Sequence, residues 1–338
     1  MHDYLVITAS PATEFSARWE DFLCNAPYAT HYVTPDFFVD PFVGDGERFA
    51  IFAIDGDKIN GVLTGVKAGN KIISGMAVRP QTAFRADIDV ASAASALARG
   101  VASLGGDLIT FHSWDVLDGL ERLGHVAGKA VGGDQVVMLD LAKGPDALFK
   151  GFTSGRRTDI RKAMRSGELD VKLIDTDDEI DELYEIHKDW NGRKGFAPDS
   201  FDDFRNAALS KHRATFIATC NGKIVAGSYF RFTHAGVVEY AANNSLAEFQ
   251  HLQANKLIVW KAIEWACANG FAKFSLGASH PFLTRFGGEI VSTYRYQLDR
   301  TFLRVHANRE RAMRLAVKTF QALPEPVRQR IKAATARV

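Results

Sequence analysis

The 338-residue sequence predicts an α/β (α+β) protein of two tandem modules, each a mixed, mostly antiparallel sheet flanked by helices. One observation is a β-hairpin pattern that occurs twice, with its turn glycines, Gly56 and Gly222, 166 positions apart. A second is that the same order of strand, helix and strand follows each hairpin. The third is the chain length, which is sufficient for two domains that each bury a core.

The two hairpins lie at residues 49–66 and 215–232, where a tight turn divides two apolar runs. The first turn contains Asp-Gly and the second Asn-Gly. These pairs favour hairpins because both turn residues need a positive φ. A third strand is predicted after each hairpin, at 71–78 and 236–243.

An apolar-periodic helix that ends in glycine follows each third strand. Glycine just beyond a helix ends it easily, because it adopts the left-handed backbone without strain. Each helix leads into a short strand, and a final strand completes each copy. The matched pairs are helices at 89–106 and 253–270, short strands at 107–113 and 272–279, and final strands at 131–141 and 286–299.

Further helical segments precede the second copy, at 146–167, 175–195 and 201–212. Acidic residues 177–179 begin the middle segment, where they suit the positive end of the helix dipole. The predicted organisation is a first module at 1–141, a second and catalytic module at 142–300, and a basic helical tail at 301–338.

The composition indicates an ordinary globular protein of the cytoplasm. Hydrophobic residues make up 46% and charged residues 24%, and the formal net charge is +1, so no global attraction to DNA is expected. The three scattered cysteines predict a reducing compartment and no metal site of the zinc type. The first residues, MHDYLVITASP, do not resemble a signal peptide, and no apolar run is long enough to span a membrane.

The tail at 301–338 concentrates positive charge. It holds nine Arg or Lys against two Glu, a net charge of +7, so the first 300 residues carry −6. Met313, Val317 and Phe320 alternate with basic residues at helical spacing. This pattern predicts a basic amphipathic helix that contacts the anionic inner membrane or a partner; the alternative is packing onto the protein with the charges solvated.

A second basic segment, SGRRTDIRKAMRSG, occupies residues 154–167. With a cap at Thr153 or Ser154, Arg157, Arg161 and Arg165 fall on one helix face. Such a row suits a polyanionic donor or a diphosphate-bearing acceptor. The alternative is a solvated basic face.

The order helix, helix, hairpin, strand, helix, strand, terminal strand resembles the GNAT acyltransferase fold. Two such modules are similar to the FemAB-type (FemABX) peptidyltransferases and to related cell-envelope and exopolysaccharide N-acyltransferases. The most specific segments are residues 154–167, 183–195 and 260–279, and the resemblance covers roughly residues 20–300.

This resemblance implies that an amine attacks an acyl thioester or ester. A backbone N–H near a splayed strand at 236–245 would stabilise the oxyanion, and the helix that begins near Gln253 would face the donor phosphates. The implied donor-binding residues are Gln253, Asn255, Lys256, Arg156, Arg157 and Arg161. The implied substrate-binding residues are Trp190, Arg193 and Arg285.

Three further residues are candidates for proton transfer. Glu239 could act as a general base and Tyr240 could protonate the leaving group, although strand alternation lets at most one of them point into the cleft. His280 follows a strand end, where α/β sheets often place ligand groups. The structural alternative for each is an ordinary strand or loop residue.

Two segments depart from the family pattern. Residues 250–255, QHLQAN, lack both glycines of the GNAT phosphate loop. Residues 283–291, LTRFGGEIV, lack the lysine that FemAB-type proteins place at the reaction centre, and Arg285 is the nearest cation. The missing glycines argue against ordinary acetyl-CoA binding, and the missing lysine argues against an aminoacyl-tRNA donor. The expected donor is an acyl-CoA, and tRNA would be a partner only if the donor were an aminoacyl-tRNA.

The function predicted from the sequence is an N-acyltransferase that moves an acyl or aminoacyl group to an amine of a cell-envelope or exopolysaccharide precursor, without a metal. The alternative is a non-catalytic regulator of the same fold. It would bind an anionic nucleotide such as cyclic di-GMP, or an envelope-assembly partner, through its arginine-rich surfaces.

Overall fold

The computed structural model describes residues 2–233 and 236–329. The strands are β1 (Asp3–Ile7), β2 (Glu47–Asp55), β3 (Lys58–Ala68), β4 (Lys71–Ser74), β5 (Thr82–Phe84), β6 (Leu108–Ser113), β7 (Val126–Lys129), β8 (Val136–Asp140), β9 (Asp170–Leu173), β10 (Arg213–Cys220), β11 (Lys223–Arg231), β12 (Val237–Ser245), β13 (Lys273–Ala278), β14 (Glu289–Val291) and β15 (Tyr294–Asp299). The helices are α1 (Thr13–Cys24), α2 (Val90–Ser103), α3 (Gly144–Gly151), α4 (Ser154–Ser166), α5 (Asp177–Lys194), α6 (Phe201–Ala208), α7 (Ala254–Ala268), α8 (Pro281–Thr284) and α9 (Val305–Ala322).

The strands form two mixed sheets, which confirms the predicted fold class. The first sheet has the order β1-β2-β3-β4-β6-β15-β7, with β5 paired to β3. The second has the order β14-β8-β13-β12-β11-β10-β9. Both predicted hairpins are present, as β2–β3 and β10–β11, and Asn221 and Gly222 adopt the positive φ that the second turn requires.

The two sheets exchange their last strands. The chain reaches β8 before the helices of the second module, yet β8 lies in the second sheet between β13 and β14. Conversely, β15 near the C-terminus inserts between β6 and β7 of the first sheet. The sheets therefore do not divide at residue 141. The predicted final strand of the first module lies in the second sheet as β8, and that of the second module splits into β14, which stays in the second sheet, and β15, which joins the first.

The helices cover the faces on which the apolar residues lie. In the first sheet α2 packs on β2 and β3, and its N-cap residue Asp89 accepts hydrogen bonds from the N–H groups of the first turn. In the second sheet α7 covers one face, and its Trp260 contacts Phe149 and Phe152. The opposite face of the second sheet is turned toward α5, α6 and the first module, and the polar residues discussed below lie there.

The predicted tail helix is present as α9, and residues 330–338 of the predicted tail lie outside the described residues. Glu310 ties this helix to β15 through an ion pair of 2.8 Å with Arg295. Further along, Met313, Leu315 and Val317 are exposed. Within residues 2–233 and 236–329 the helices are all too short or too polar to cross a membrane.

Candidate functional site

The centre of the second sheet contains the splayed strand that the sequence predicted. β12 pairs in parallel with β13 only from Val237 to Glu239, and beyond that point no further pairing between the two strands is present in the described residues. On its other side, Tyr240 pairs with Phe230 and Ala242 with Tyr229, so Ala241 is an extra residue that forms a β-bulge. A bulge leaves a backbone group outside the ladder and redirects the strand.

Two cavities lie beside the splayed half of β12. The inter-module cavity has a volume of about 410 Å³, and its lining includes Tyr32, Arg79, His187, Phe204, Arg231 and Ala241. The helix-end cavity has a volume of about 340 Å³, and its lining includes Lys194, Phe249, Gln253, Asn255, Lys256 and Phe282. Trp190 and Asn243 line both cavities, so the two spaces meet at the C-terminal half of β12.

The helix-end cavity collects part of the predicted donor site. Gln253, Asn255 and Lys256 surround the N-terminus of α7, with Trp190 opposite. A helix N-terminus attracts anions because its first N–H groups are free and its dipole is positive there. Lys256 Nζ also lies 2.7 Å from Asp159 Oδ2, so part of its charge is already balanced.

The three predicted phosphate-binding arginines of α4 make other contacts. Arg156 is buried, donates to the carbonyl of Phe282 at 2.6 Å and stacks on the Phe286 ring. Arg157 donates to the carbonyls of Lys150 and Phe152 at the end of α3. Arg161 lies over the Phe149 ring. The lining of the helix-end cavity, as the described residues define it, does not include these arginines, and their phosphate role stays a prediction.

Glu239 joins the two modules. Its side chain is 5% exposed; Oε1 lies 3.0 Å from Arg79 Nε, and Oε2 accepts from the His31 backbone N–H at 3.3 Å. Val237 also donates to the carbonyl of Ala29. Both carboxylate oxygens are therefore engaged with the first module. Its predicted role as a general base stays a prediction.

Truncation of Glu239 is expected to destabilise the fold. Glu239→Ala leaves the Arg79 guanidinium buried without its carboxylate, which typically costs about 3–5 kcal/mol of unfolding free energy. Urea unfolding measures this loss. Glu248→Ala is the matched control, because the Glu248 carboxylate is exposed, 3.9 Å from Lys223, and its loss should cost less than about 1 kcal/mol. Equal stability of the two variants would contradict the interface role.

Tyr240 and His280 lie away from the inter-module cavity. Tyr240 packs against Phe230 on the α7 side of the sheet, and burial raises the pKa of its hydroxyl to about 12. Its hydroxyl accepts a hydrogen bond from Asn243, which does line both cavities. His280 is exposed and caps α8, where its Nδ1 accepts from the Phe282 N–H at 3.2 Å. The catalytic roles of both remain predictions.

The predicted substrate-binding residues separate in space. Trp190 lies at the junction of the two cavities. Arg193, on the same helix, forms an ion pair of 2.9 Å with Asp189 and donates to the carbonyl of Ser245, so it fixes the end of β12. Arg285 is exposed, and its carbonyl accepts from the Thr153 N–H before α4.

One end of the inter-module cavity carries a histidine–carboxylate pair that the sequence did not single out. His187 Nε2 lies 3.1 Å from Asp199 Oδ2, and Nδ1 lies 3.2 Å from Asn244 Oδ1. The Tyr229 hydroxyl donates to the same Asn244 oxygen at 2.6 Å. The ring nitrogen Nε2 also lies 3.0 Å from Asn191 Nδ2 and accepts from the Asp199 backbone N–H at 3.3 Å, so hydrogen-bond donors and acceptors both surround it.

The opposite end of this cavity is basic. Arg79, Arg213 and Arg231 line it, together with Tyr32. The Arg213 guanidinium forms a buried ion pair with Asp40. Burial alone would raise the pKa of Asp40, but the hydrogen bond to His31 and the charge of Arg213 outweigh it and hold that pKa well below its usual range.

The residues that the sequence analysis missed differ in how easily the sequence could have identified them. His187 lies inside the segment 183–195 that carried the family resemblance, so a closer reading of its helical face could have found it. Tyr32, in a single 3-10 turn, and Arg79, in a loop, belong to the first module and lie more than 150 residues before β12. No local pattern connects them to the second sheet.

Residues 154–297 match the family model of the acetyltransferase (GNAT) domain. The structure is similar to that of FemX, with a TM-score of 0.66, 14% identity, and coverage of 88% of this chain and 98% of FemX. The C-terminal (DUF2156) domain described as belonging to a lysylphosphatidylglycerol synthetase of Agrobacterium fabrum is also similar. Its TM-score is 0.60 and its identity 13%, with coverage of 86% of this chain and 93% of that domain. For a tandem GNAT protein from the clavulanic acid biosynthesis pathway, the TM-score is 0.50 and the identity 12%, with coverage of 89% of this chain and 99% of that protein. Among curated protein sequences, none matches this chain.

Proposed function

We propose that the protein is an N-acyltransferase with its donor in the helix-end cavity and its amine acceptor in the inter-module cavity. Residues 154–297 match the acetyltransferase (GNAT) domain model, and the fold is similar to that of FemX. The observation that carries the proposal is the meeting of these cavities at the C-terminal half of β12, next to its bulge, where Trp190 and Asn243 line both. An acyl carbonyl placed there is reachable from either side of the strand.

The proposed reaction uses groups of this chain at each step. The amine nitrogen attacks the acyl carbonyl carbon, and the backbone N–H of Ala241, outside the ladder, supports the oxyanion. The pair of His187 and Asp199 takes the amine proton. The attack forms the C–N bond; the C–S or C–O bond to the donor then breaks, and the thiolate or alkoxide leaves with the proton that the His187–Asp199 pair took from the amine.

For the donor we propose acyl-CoA, with an aminoacyl ester as the second choice. The GNAT domain implies the first in general, and the N-terminus of α7 with Lys194 and Lys256 offers positive charge for its phosphates. The segment 250–255 has no glycine, so the backbone approaches a phosphate less closely than in a glycine-rich loop.

For the acceptor we propose an amine of a cell-envelope or exopolysaccharide precursor, met at the membrane surface. Support comes from the shared fold with FemX and with a domain named for lysylphosphatidylglycerol synthesis. The exposed apolar residues of α9, next to Arg311, Arg314 and Lys318, would provide peripheral contact with anionic lipid. Vesicle sedimentation of the full chain against a chain ending at residue 300 tests this contact.

Ligand stabilisation tests the donor. A donor at 100 times its Kd should raise the unfolding free energy by about 2.7 kcal/mol, so thermal unfolding with acetyl-CoA, longer acyl-CoAs and free CoA will reveal it. Lys194→Ala with Lys256→Ala should remove most of the shift. Lys261→Ala, farther along α7 and paired with Glu264, should keep it.

The possible outcomes separate the proposals. An acyl-CoA response that the double variant loses supports the donor site. An equal response in the double variant would place the donor elsewhere. No response to any CoA, combined with acyl transfer from aminoacyl-tRNA, would change the donor class. If no CoA stabilises the protein and no acyl transfer from aminoacyl-tRNA is detected, the non-catalytic regulator is favoured.

A further inference from the structure

The basic end of the inter-module cavity contains one arginine, Arg231, whose charge is not balanced by any carboxylate of the described residues. Arg79 is paired with Glu239 and Arg213 with Asp40. Arg231 is 5% exposed and lines the same cavity, but the described residues offer it no carboxylate within ion-pair distance.

The hydrogen bonding of Arg231 is also incomplete. Its Nη1 donates to the Tyr32 hydroxyl at 2.8 Å, whereas its Nε is buried without an acceptor among the described residues. The Tyr32 ring lies 5.0 Å from the Arg231 guanidinium carbon and 5.2 Å from that of Arg79, so two cations face one ring. Burial, and then the Arg231 charge, lower the pKa of Arg79.

Nearby titratable groups do not cancel this charge. His31 hydrogen-bonds to Asp40 at 2.9 Å, and burial lowers the pKa of its ring, which favours the neutral form, so this ring does not offset the arginine charge. Asp36 is bonded to His212 at 2.7 Å. Asp199 belongs to the other end of the cavity, with His187. A buried, unpaired guanidinium is expensive to maintain unless a ligand supplies the counter-charge.

We propose that Arg231, supported by Arg79, binds a single carboxylate on the acceptor, so the protein acylates amines that also carry an acid group. This inference rests on the proposed acyltransferase function and names its acceptor class. One excess positive charge matches a carboxylate better than a doubly charged phosphate monoester, and a guanidinium binds carboxylate oxygens in a planar, bidentate manner.

The sheet register gives the distance between the two groups. Arg213, Arg231 and Glu239 lie opposite one another on three strands, and Tyr229 and Ala242 form part of the next row on the same face. Two residues of strand span roughly 7 Å. The amine and the carboxylate therefore belong to one small unit, such as an amino acid or an acidic amino sugar, and not to distant parts of a polymer.

Matched acceptors test the carboxylate. Aminocarboxylic acids with one to five carbons between the groups are compared with their methyl amides and with phosphorylethanolamine, by thermal stabilisation without donor and by KM with it. The wild type is expected to prefer the best acid over its amide by at least about tenfold. Arg231→Met should abolish that preference, and Arg231→Lys should restore part of it. Arg205→Met, an exposed residue paired with Asp177, should leave it intact.

Stability without ligand separates binding from structure. If Arg231 serves a ligand, Arg231→Met removes an unpaired buried charge and the protein alone unfolds at the same or a higher temperature. A large loss of stability in Arg231→Met and in Arg231→Gln, with acids and amides bound equally by the wild type, would overturn the proposal. A preference for phosphorylethanolamine would overturn the carboxylate assignment.

The same measurements distinguish this inference from the proposed function. If acids bind through Arg231 but no acyl transfer occurs, the carboxylate site is supported and the proposed acyltransferase function is refuted. If acyl transfer occurs but acids and amides are used equally well, the carboxylate site is refuted and the proposed acyltransferase function is supported.

Discussion

Residues 1–141 and 142–300, produced as separate chains, are expected not to fold. Without β15, β6 loses one neighbour, and β7 loses the strand that pairs with it among the described residues. Without β8, β13 and β14 lose the strand that joins them. In the first fragment the buried side chains of Val136, Val137 and Leu139 would also become exposed.

Circular dichroism and urea unfolding of each fragment test this expectation. The physical reason is that unpaired strands expose backbone groups and apolar side chains together, so the fragments should be disordered or aggregate. Co-expression of both fragments is the control, because the exchanged strands can then meet and restore a cooperative transition. A cooperative transition in residues 1–141 alone would show that the strand exchange is dispensable.

His187→Gln is expected to lower kcat by about 10²–10⁴-fold with little change in donor binding. The ring lies in the inter-module cavity with Asp199 at 3.1 Å, and general-base groups contribute rate factors of this size. Asp199→Asn should lower kcat as well. The double variant should lose less than the product of the two effects, because the residues act as a unit.

The matched comparison is His280→Gln, which changes an exposed histidine that caps α8. It is expected to retain activity. Thermal unfolding must show that His187→Gln is folded, since this ring also contacts Tyr184 and Phe204. Full activity of the His187 variant, or loss in the His280 variant, would reject the assignment.

Local features of this fold were predictable from the sequence. The hairpins depend on Asp-Gly and Asn-Gly turns, and the helices on apolar periodicity, so a short window contains the whole signal. The splayed strand and the residues at the start of α7 followed from the family resemblance. The strand exchange was not predictable in this way, because β8 and β15 have the same pattern in either sheet.

The candidate site was only partly predictable for the same reason. The arginines of α4 were correctly placed on a helix, but their charge pattern did not reveal that Arg156 packs between phenylalanine rings and Arg157 caps α3. Glu239 was correctly placed on the splayed strand, yet its partner Arg79 is 160 residues away. Side-chain partners at such separations depend on how the modules meet.

The exchange of β15 also imposes an order in time. The ribosome releases the chain from its N-terminus, and about 180 residues separate the end of β6 from β15. At roughly 5–20 residues per second, one side of β6 stays unpaired for roughly 10–40 seconds while the second module is made. During that interval the exposed edge is a template for aggregation, so chaperones would act on the first half. A stop codon shortly before residue 294 would therefore damage the part of the protein that was synthesised first.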